Sequence, residues 1–184
     1  MPVIAAAYET PYERHPRPGL TTPDVLSAAM AGVLERLGLD AREVDGLGVS
    51  SFTLHPDHVI DLAWKLGLGV RWLMQDPLGG ASGINLVQHA IRAVEAGDAR
   101  CIVLLAGDAM DWSALKSVNY NYNAVARVHL APLGDASPNA LFAMLTTRHS
   151  RATGLNERDY AQVALAQRRW AATNPGAVYR SPMS

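Results

Sequence analysis

Residues 79–110 read GGASGINLVQHAIRAVEAGDARCIVLLAGDAM, and three kinds of local order follow one another inside them. Small residues open the stretch as a tight turn. Apolar residues at three-and-four spacing then predict a helix over residues 83–95, ended by Gly97. Cys101 to Ala106 is a near-continuous apolar run, the pattern of a strand buried on both faces. Just upstream, Arg71 to Gln75 predicts another strand, stopped by Asp76-Pro77. Strand, turn, helix, strand is the repeating unit of a parallel sheet.

Working toward the N-terminus, the same alternation continues. Val44 to Ser51 predicts a strand, and residues 58–66 a helix closed by Gly67 and Gly69. Thr22-Pro23-Asp24 opens an earlier helix, with Thr22 as N-cap and an acid near the positive end. Its apolar positions include Val25, Ala29, Val33 and Leu37, and Gly38 stops it. Val3 to Tyr8, ended by Pro11, predicts a first strand. Four alternations imply an α/β fold, a mixed and mostly parallel sheet with helices on both faces. After Gly107 the character changes to Asn, Tyr and Ser with weak periodicity. Helices are expected over 138–152 and 156–172, joined around Gly154, and NPGAVYRSPMS then ends as a loop with no evident destination. The expected division is an α/β domain at 1–107 and a loop and helical region at 108–184 that needs something to lie on.

Composition narrows the function classes. The 184 residues are 49% hydrophobic and 18% charged, with a net charge of −1, which gives no electrostatic footprint for nucleic acid. Basic residues do gather late, in Arg148, Arg151, Arg158, Arg168 and Arg169. One cysteine, Cys101, excludes an internal disulfide and a cysteine-rich zinc site. The first residues lack a basic start and a long apolar run, and no stretch reaches the roughly 20 apolar residues that span a bilayer. The expectation is no membrane span and a cytoplasmic location.

The glycine-rich turn admits several chemistries. Neither G-x-G-x-x-G nor G-x-x-x-x-G-K-[ST] fits it, so a dinucleotide or phosphate loop is not indicated. The hydrolase elbow G-x-S-x-G misses by one position in Gly80-Ala81-Ser82-Gly83-Ile84. A tight turn with small residues for close packing remains the bland alternative. His55-Pro56-Asp57-His58 offers too few ligands for zinc and reads as a helix start capped by Asp57, with His58 exposed. Cys101 behaves as an inert small hydrophobe. Residues 119–123, NYNYN, read as a hydrogen-bonding strip or a plain polar loop. His149 and the arginines beside it either meet phosphate or solvate a helix face.

Three stretches in this order resemble the N-terminal half of the thiolase superfamily: VIAAAYETPY, the 79–110 segment, and GLNERDYAQVALAQRRWAATNPGAVYRSPMS. The likeness covers nearly the whole chain and is nearest the sterol carrier protein-type thiolases with their lipid-transfer and aldolase relatives. In that family the turn after the third strand carries a nucleophilic cysteine at the N-terminus of a buried helix, where the dipole lowers its pKa. The matching position here is Gly80. Ser82 matches the serine that accompanies the cysteine and is a weak substitute nucleophile. Backbone N–H groups of Gly80, Ala81 and Ser82 are the expected oxyanion donors for a thioester.

The resemblance implies a CoA thioester as substrate, with no bound cofactor or metal, and carbon–carbon chemistry of retro-aldol or acyl-transfer type on a lipid or sterol side chain. Retro-aldol cleavage needs a base and a stabilised enolate but no acyl-enzyme. It also implies that 108–184 shapes an acyl-CoA tunnel, and that Arg71 to Gln75 pairs with its counterpart across a dimer. The helix after Gly80 becomes the central one, with Ile84, Val87, Ile91 and Val94 packed. The family's C-terminal half, with its Gly-His-Pro histidine, is not found in these residues. The expected partners are therefore a complementary thiolase-half chain or further copies, and an OB-fold protein with a zinc ribbon. A lone chain is expected to expose apolar surface and to associate or dissolve poorly. The alternatives are a non-catalytic half-thiolase subunit and a truncated fragment.

Overall fold

The computed structural model describes residues 1–13, 17–55, 57–120, 124–134 and 137–184. They fall into two compact units, Met1–Thr10 with Pro16–Met110, and Pro11–His15 with Asp111–Ser184. The first unit is built on a three-stranded parallel sheet in the order β2-β1-β3. Its strands are β1 (Gly46–Ser50), β2 (Trp72–Gln75) and β3 (Ile102–Ala106). Gly46 lies in register with Trp72 on one side and Ile102 on the other.

Side chains alternate across a strand, and β1 uses this to make two unlike faces. Leu47 and Val49 enter a core with Leu26, Met30 and Leu34 of α1 (Thr22–Leu37) and Val59, Leu62 and Ala63 of α2 (His58–Lys65). Gly46 and Gly48 face the other way, Gly46 toward Ile102 and Ala99 and Gly48 toward α3 (Ser82–Ala96). A Cβ on Gly48 would lie 2.6 Å from Leu104 and 3.2 Å from Leu86 of α3. Glycine is what lets the helix approach this closely. The α3 face that packs is accordingly slim: Ser82, Leu86, Ala90 and Ala93.

That corrects the expected packing of α3. Ile84 is 79% exposed and Ile91 41%, while Val87 and Val94 are half-buried at the margin. Apolar residues thus run round more than half of α3, and the sheet covers only one side of them. The cap of α1 is also one residue earlier than expected. Thr21 and Asp24 form a capping box, and Thr22 is buried as the first helical residue. Asp57 precedes α2 with φ +70° and makes no side-chain capping bond. His58 is exposed, as expected; Pro56 lies outside the described residues.

The expected first strand does not form. Residues 1–10 have no ladder partner, and Val3 and Ile4 are exposed. Tyr8 instead places its ring where a Cβ on Gly32 would stand, and Arg36 stacks on that ring 5.0 Å from its centre. Arg36 also donates to the Ala7 carbonyl at 2.6 Å. The segment is pinned to α1 rather than to the sheet. Nor is β3 buried on both faces: only Leu105 is buried, and Val103, its neighbour on the core face, is half-buried.

The second unit is helical: α4 (Trp112–Tyr120), a π-helical turn Ala126–Leu130, a 3-10 turn Ala131–Leu133, α5 (Pro138–Thr153) and α6 (Glu157–Thr173). Residues 119 and 120 thus end a helix; 121–123 of the polar strip lie outside the described residues. His149 and Tyr160 tie α5 to α6 through a 2.8 Å hydrogen bond. The chain end has a destination after all, since Arg168 donates to the Ser181 carbonyl at 2.9 Å and its guanidinium lies 5.9 Å from the Tyr179 ring centre. No residue of α5 or α6 is buried. Among the described residues no helix is long and apolar enough to cross a membrane.

Candidate functional site

The carboxyl ends of parallel strands are where such sheets hold ligands. Here β1, β2 and β3 deliver Ser51, Asp76 and Asp108 to that end. Asp76 anchors the turn. Its backbone N–H continues the ladder to Val49 at 2.9 Å, and the residue is only 2% exposed. Oδ1 accepts from the Leu78 N–H at 2.9 Å and from Ser82 Oγ at 3.0 Å, and Oδ2 accepts from Asn85 Nδ2. The Asn85 bond is the largest cause holding this carboxyl below its ordinary range. Burial opposes it, and Leu78, Ser82 and the charge of His89 assist. An ionised Asp76 therefore sits under the N-terminus of α3, where the helix dipole favours a negative charge.

Between Asp76 and α3 the chain makes one 3-10 turn, Gly79–Ala81, and the Ser82 N–H donates to the Gly79 carbonyl. Gly79 has φ +67°, a conformation that penalises any side chain. Gly80 is different: its φ is not positive, and a Cβ there would meet nothing within 4 Å. The position matching the family's nucleophile thus opens onto free space. Ala81 is exposed, whereas Ser82 is 0% exposed with its hydroxyl committed to Asp76. This geometry gives Ser82 an anchoring task.

Across the sheet, residues 51–55 form a loop held from both sides. Asp108 Oδ1 accepts from Ser51 Oγ (2.6 Å), Phe52 N (2.9 Å), Thr53 N (2.9 Å) and Thr53 Oγ1 (2.7 Å). Because Thr53 gives its proton to Asp108, Thr22 Oγ1 is the donor in the 2.6 Å Thr22–Thr53 contact, and it accepts from the Ala109 N–H. Gln75 Nε2 donates to the Leu54 carbonyl at 3.0 Å. The Phe52 ring ends 3.5 Å from where a Gly79 Cβ would be. Among the described residues no buried side-chain nitrogen or oxygen lacks a partner.

The other candidates lie apart. Cys101 directly precedes β3 at the amino end of the sheet, its thiol pushed up by burial and by Asp45 and Glu43. His55 and His58 meet edge to face at 5.4 Å between ring centres. Among the described residues no three His, Cys, Asp or Glu side chains gather as a metal site. Two open hollows of about 580 and 350 Å³ belong to the second unit, lined by Asp111, Trp112, Ser113 and Lys116, and by Met144, Thr147, Arg148 and Arg151. Sequence reasoning missed Asp76, Asn85, Phe52 and Asp108. Acceptor and donor types at positions 76, 82 and 85, spanning turn and first helical turn, were the available signal for the first two.

No protein-family model matches the chain. Over 165 residues, 84% of this chain, it is 30% identical to a 17-hydroxy-3-oxo-4-pregnene-20-carboxyl-CoA lyase of Mycobacterium tuberculosis. Over 173 residues, 85% of this chain, it is 28% identical to a steroid side-chain-cleaving aldolase of Thermomonospora curvata. A solved Ltp2-ChsH2(DUF35) aldolase superposes with a TM-score of 0.69 and 28% identity over 91% of this chain and 43% of that one. The chain is related to thiolase-like aldolases. It spans 42% of the length of each of the two curated relatives. The chain's α/β architecture is a thiolase-like one, as its superposition on the solved aldolase shows.

Proposed function

We propose that the chain forms the thioester-binding part of a thiolase-like aldolase, akin to the sterol carrier protein-type branch, that cleaves a carbon–carbon bond in a CoA thioester with a lipid or sterol side chain. The observation that carries this reading is the empty space at Gly80, in a turn held rigid by an ionised, buried Asp76. A thioester carbonyl placed there meets the N–H groups of Gly80 and Ala81 at the positive end of α3. The Ser82 N–H is already bonded to Gly79, so the expected set of three donors reduces to two.

In the reaction a base removes the proton of the β-hydroxyl. The oxygen's electron pair forms the new carbonyl, the Cα–Cβ bond breaks, and its pair passes onto the thioester as an enolate. The two N–H groups stabilise that oxygen, and protonation of the α-carbon releases the shorter acyl-CoA. No acyl-enzyme forms, which suits a glycine at position 80. We assign the base to a partner chain or segment. The named pairing in the Ltp2-ChsH2(DUF35) aldolase supports a partner, and so does the bare Ile84–Ile91 side of α3.

The test uses the full chain with whatever its host co-purifies, a β-hydroxyacyl-CoA with a steroid-sized side chain, and mass spectrometry. Shorter acyl-CoA and the released ketone or aldehyde in equal amounts are expected, and Gly80→Trp abolishes both. Undisturbed thioester affinity and turnover in a folded Gly80→Trp variant overturn the reading. Cleavage that persists in a complex stripped of this chain makes it the non-catalytic subunit.

A further inference from the structure

Phe52 stands out in this site for how it is held. Its ring is 50% exposed on a loop whose backbone N–H groups are taken up by side chains. The N–H groups of Phe52 and Thr53 go to Asp108, and those of Thr53 and Leu54 reach Ser51 Oγ at 3.2 and 3.0 Å. Gln75 holds the Leu54 carbonyl from the β2 side. The Ser51 bonds shape the turn locally, while those to Asp108 and Gln75 reach residues distant in sequence and fix the base of the ring to the sheet's carboxyl end. The ring's tip lies 3.5 Å from where a Cβ on the left-handed Gly79 would stand, and a Cβ on the next residue, Gly80, would meet open space. A pre-ordered apolar ring loses little freedom when a ligand lies on it.

Resting on the reading of the turn as a thioester seat, we propose that Phe52 is the apolar wall that sets acyl-group specificity over Gly80, and that Asp108 positions it. The ligand class is a bulky alicyclic acyl group, whose flat apolar face matches a fixed ring, in preference to a flexible linear chain. Asp108 touches no substrate and acts through the loop.

The experiment compares two β-hydroxyacyl-CoA substrates, one alicyclic and one linear, on the full chain with its co-purified partner. Non-cleavable thioether analogues of both give affinities as a second readout. Phe52→Ala is expected to lower the alicyclic-to-linear ratio of kcat/KM by about tenfold, through KM. Asp108→Ala is expected to give the same split, and Asp108→Asn, which keeps an acceptor oxygen, to restore it. Phe52→Leu, which retains the loop's hydrogen bonds, keeps the test open where Asp108→Ala does not fold, and is expected to lose part of the preference. Equal changes for both acyl groups, or none, in Phe52→Ala overturn the assignment while Gly80→Trp still blocks binding. Failure of Gly80→Trp to block either analogue marks instead the failure of the seat itself.

Discussion

Replacing Asp76 with asparagine isolates the anchor of the turn. The carboxylate presents two acceptor oxygens to three donors, the Leu78 N–H, the Ser82 hydroxyl and the Asn85 amide. Asparagine presents one oxygen and turns an NH2 toward at least one of those donors. Losing a bond to an ionised acceptor costs about 1.5–3 kcal/mol, and stranding a buried donor adds about 1–3. The Ser82 hydroxyl can rotate, so the lower halves of both ranges apply, and Asp76→Asn is expected to cost about 3 kcal/mol. Urea unfolding of the full chain reads this as a lower midpoint at unchanged slope. Ser82→Ala removes one donor and is expected to cost about 1–2 kcal/mol. The double variant then costs less than the two added together, because the stranded hydroxyl is gone. A loss under about 1 kcal/mol for Asp76→Asn, against the 1.5–3 expected for a charged bond, or strict additivity with Ser82→Ala, refutes the anchoring role. The pH dependence has a definite sign. The folded-state pKa of Asp76 is depressed, so its contribution is present above the unfolded carboxylate range and is lost as pH falls below it. The gap between wild type and Asp76→Asn is expected to close in that acid window.

Three further outcomes follow from the packing. Gly48→Ala pushes on Leu104, whose end can move, but Leu86 at 3.2 Å and Trp72 at 3.4 Å close the other sides. We expect a loss of about 1–2 kcal/mol in thermal or urea unfolding, relieved by Leu104→Ala. Gly32→Ala evicts the Tyr8 ring while gaining about 1 kcal/mol of helix propensity. Global stability therefore stays near its original value, and chymotryptic cleavage after Tyr8 accelerates; unchanged cleavage contradicts the pinning. Asn156 caps α6 in a capping box, so Asn156→Ala is expected to cost about 1 kcal/mol of helix stability and Asn156→Ser almost none, by circular dichroism on melting.

The parts of this fold legible in the sequence are those set by local chemistry. Residues 22–37 carry a proline, an acid and a terminal glycine in the places helix ends require, and the helix forms there. The same holds for the two late helices, bounded by Ser137, Asn156 and the left-handed Gly154. What was not legible depends on neighbours. Val3 to Tyr8 has strand composition but finds no ladder, since strand formation needs an edge. The sequence reading packed α3 through its bulkiest residues, whereas Ser82, Leu86, Ala90 and Ala93 are the buried ones. Gly48 of β1, opposite Leu86, was the available sign of a close helix. At the candidate site, attention came to Gly80 through the resemblance alone. Asp108 was not legible, because its four bonds run to residues more than fifty positions away.

The strand order also bears on how the chain is made. β1 is synthesised first yet lies in the middle, and both of its neighbours are translated later. Until Ile102–Ala106 has left the ribosome, GLGVS keeps one hydrogen-bonding edge open, with no charged side chain to deter a foreign strand. Contacts this distant in sequence form slowly. A nascent chain halted between β2 and β3 thus displays its most buried strand as an edge. That edge of β1 is closed only when β3 arrives to pair with it.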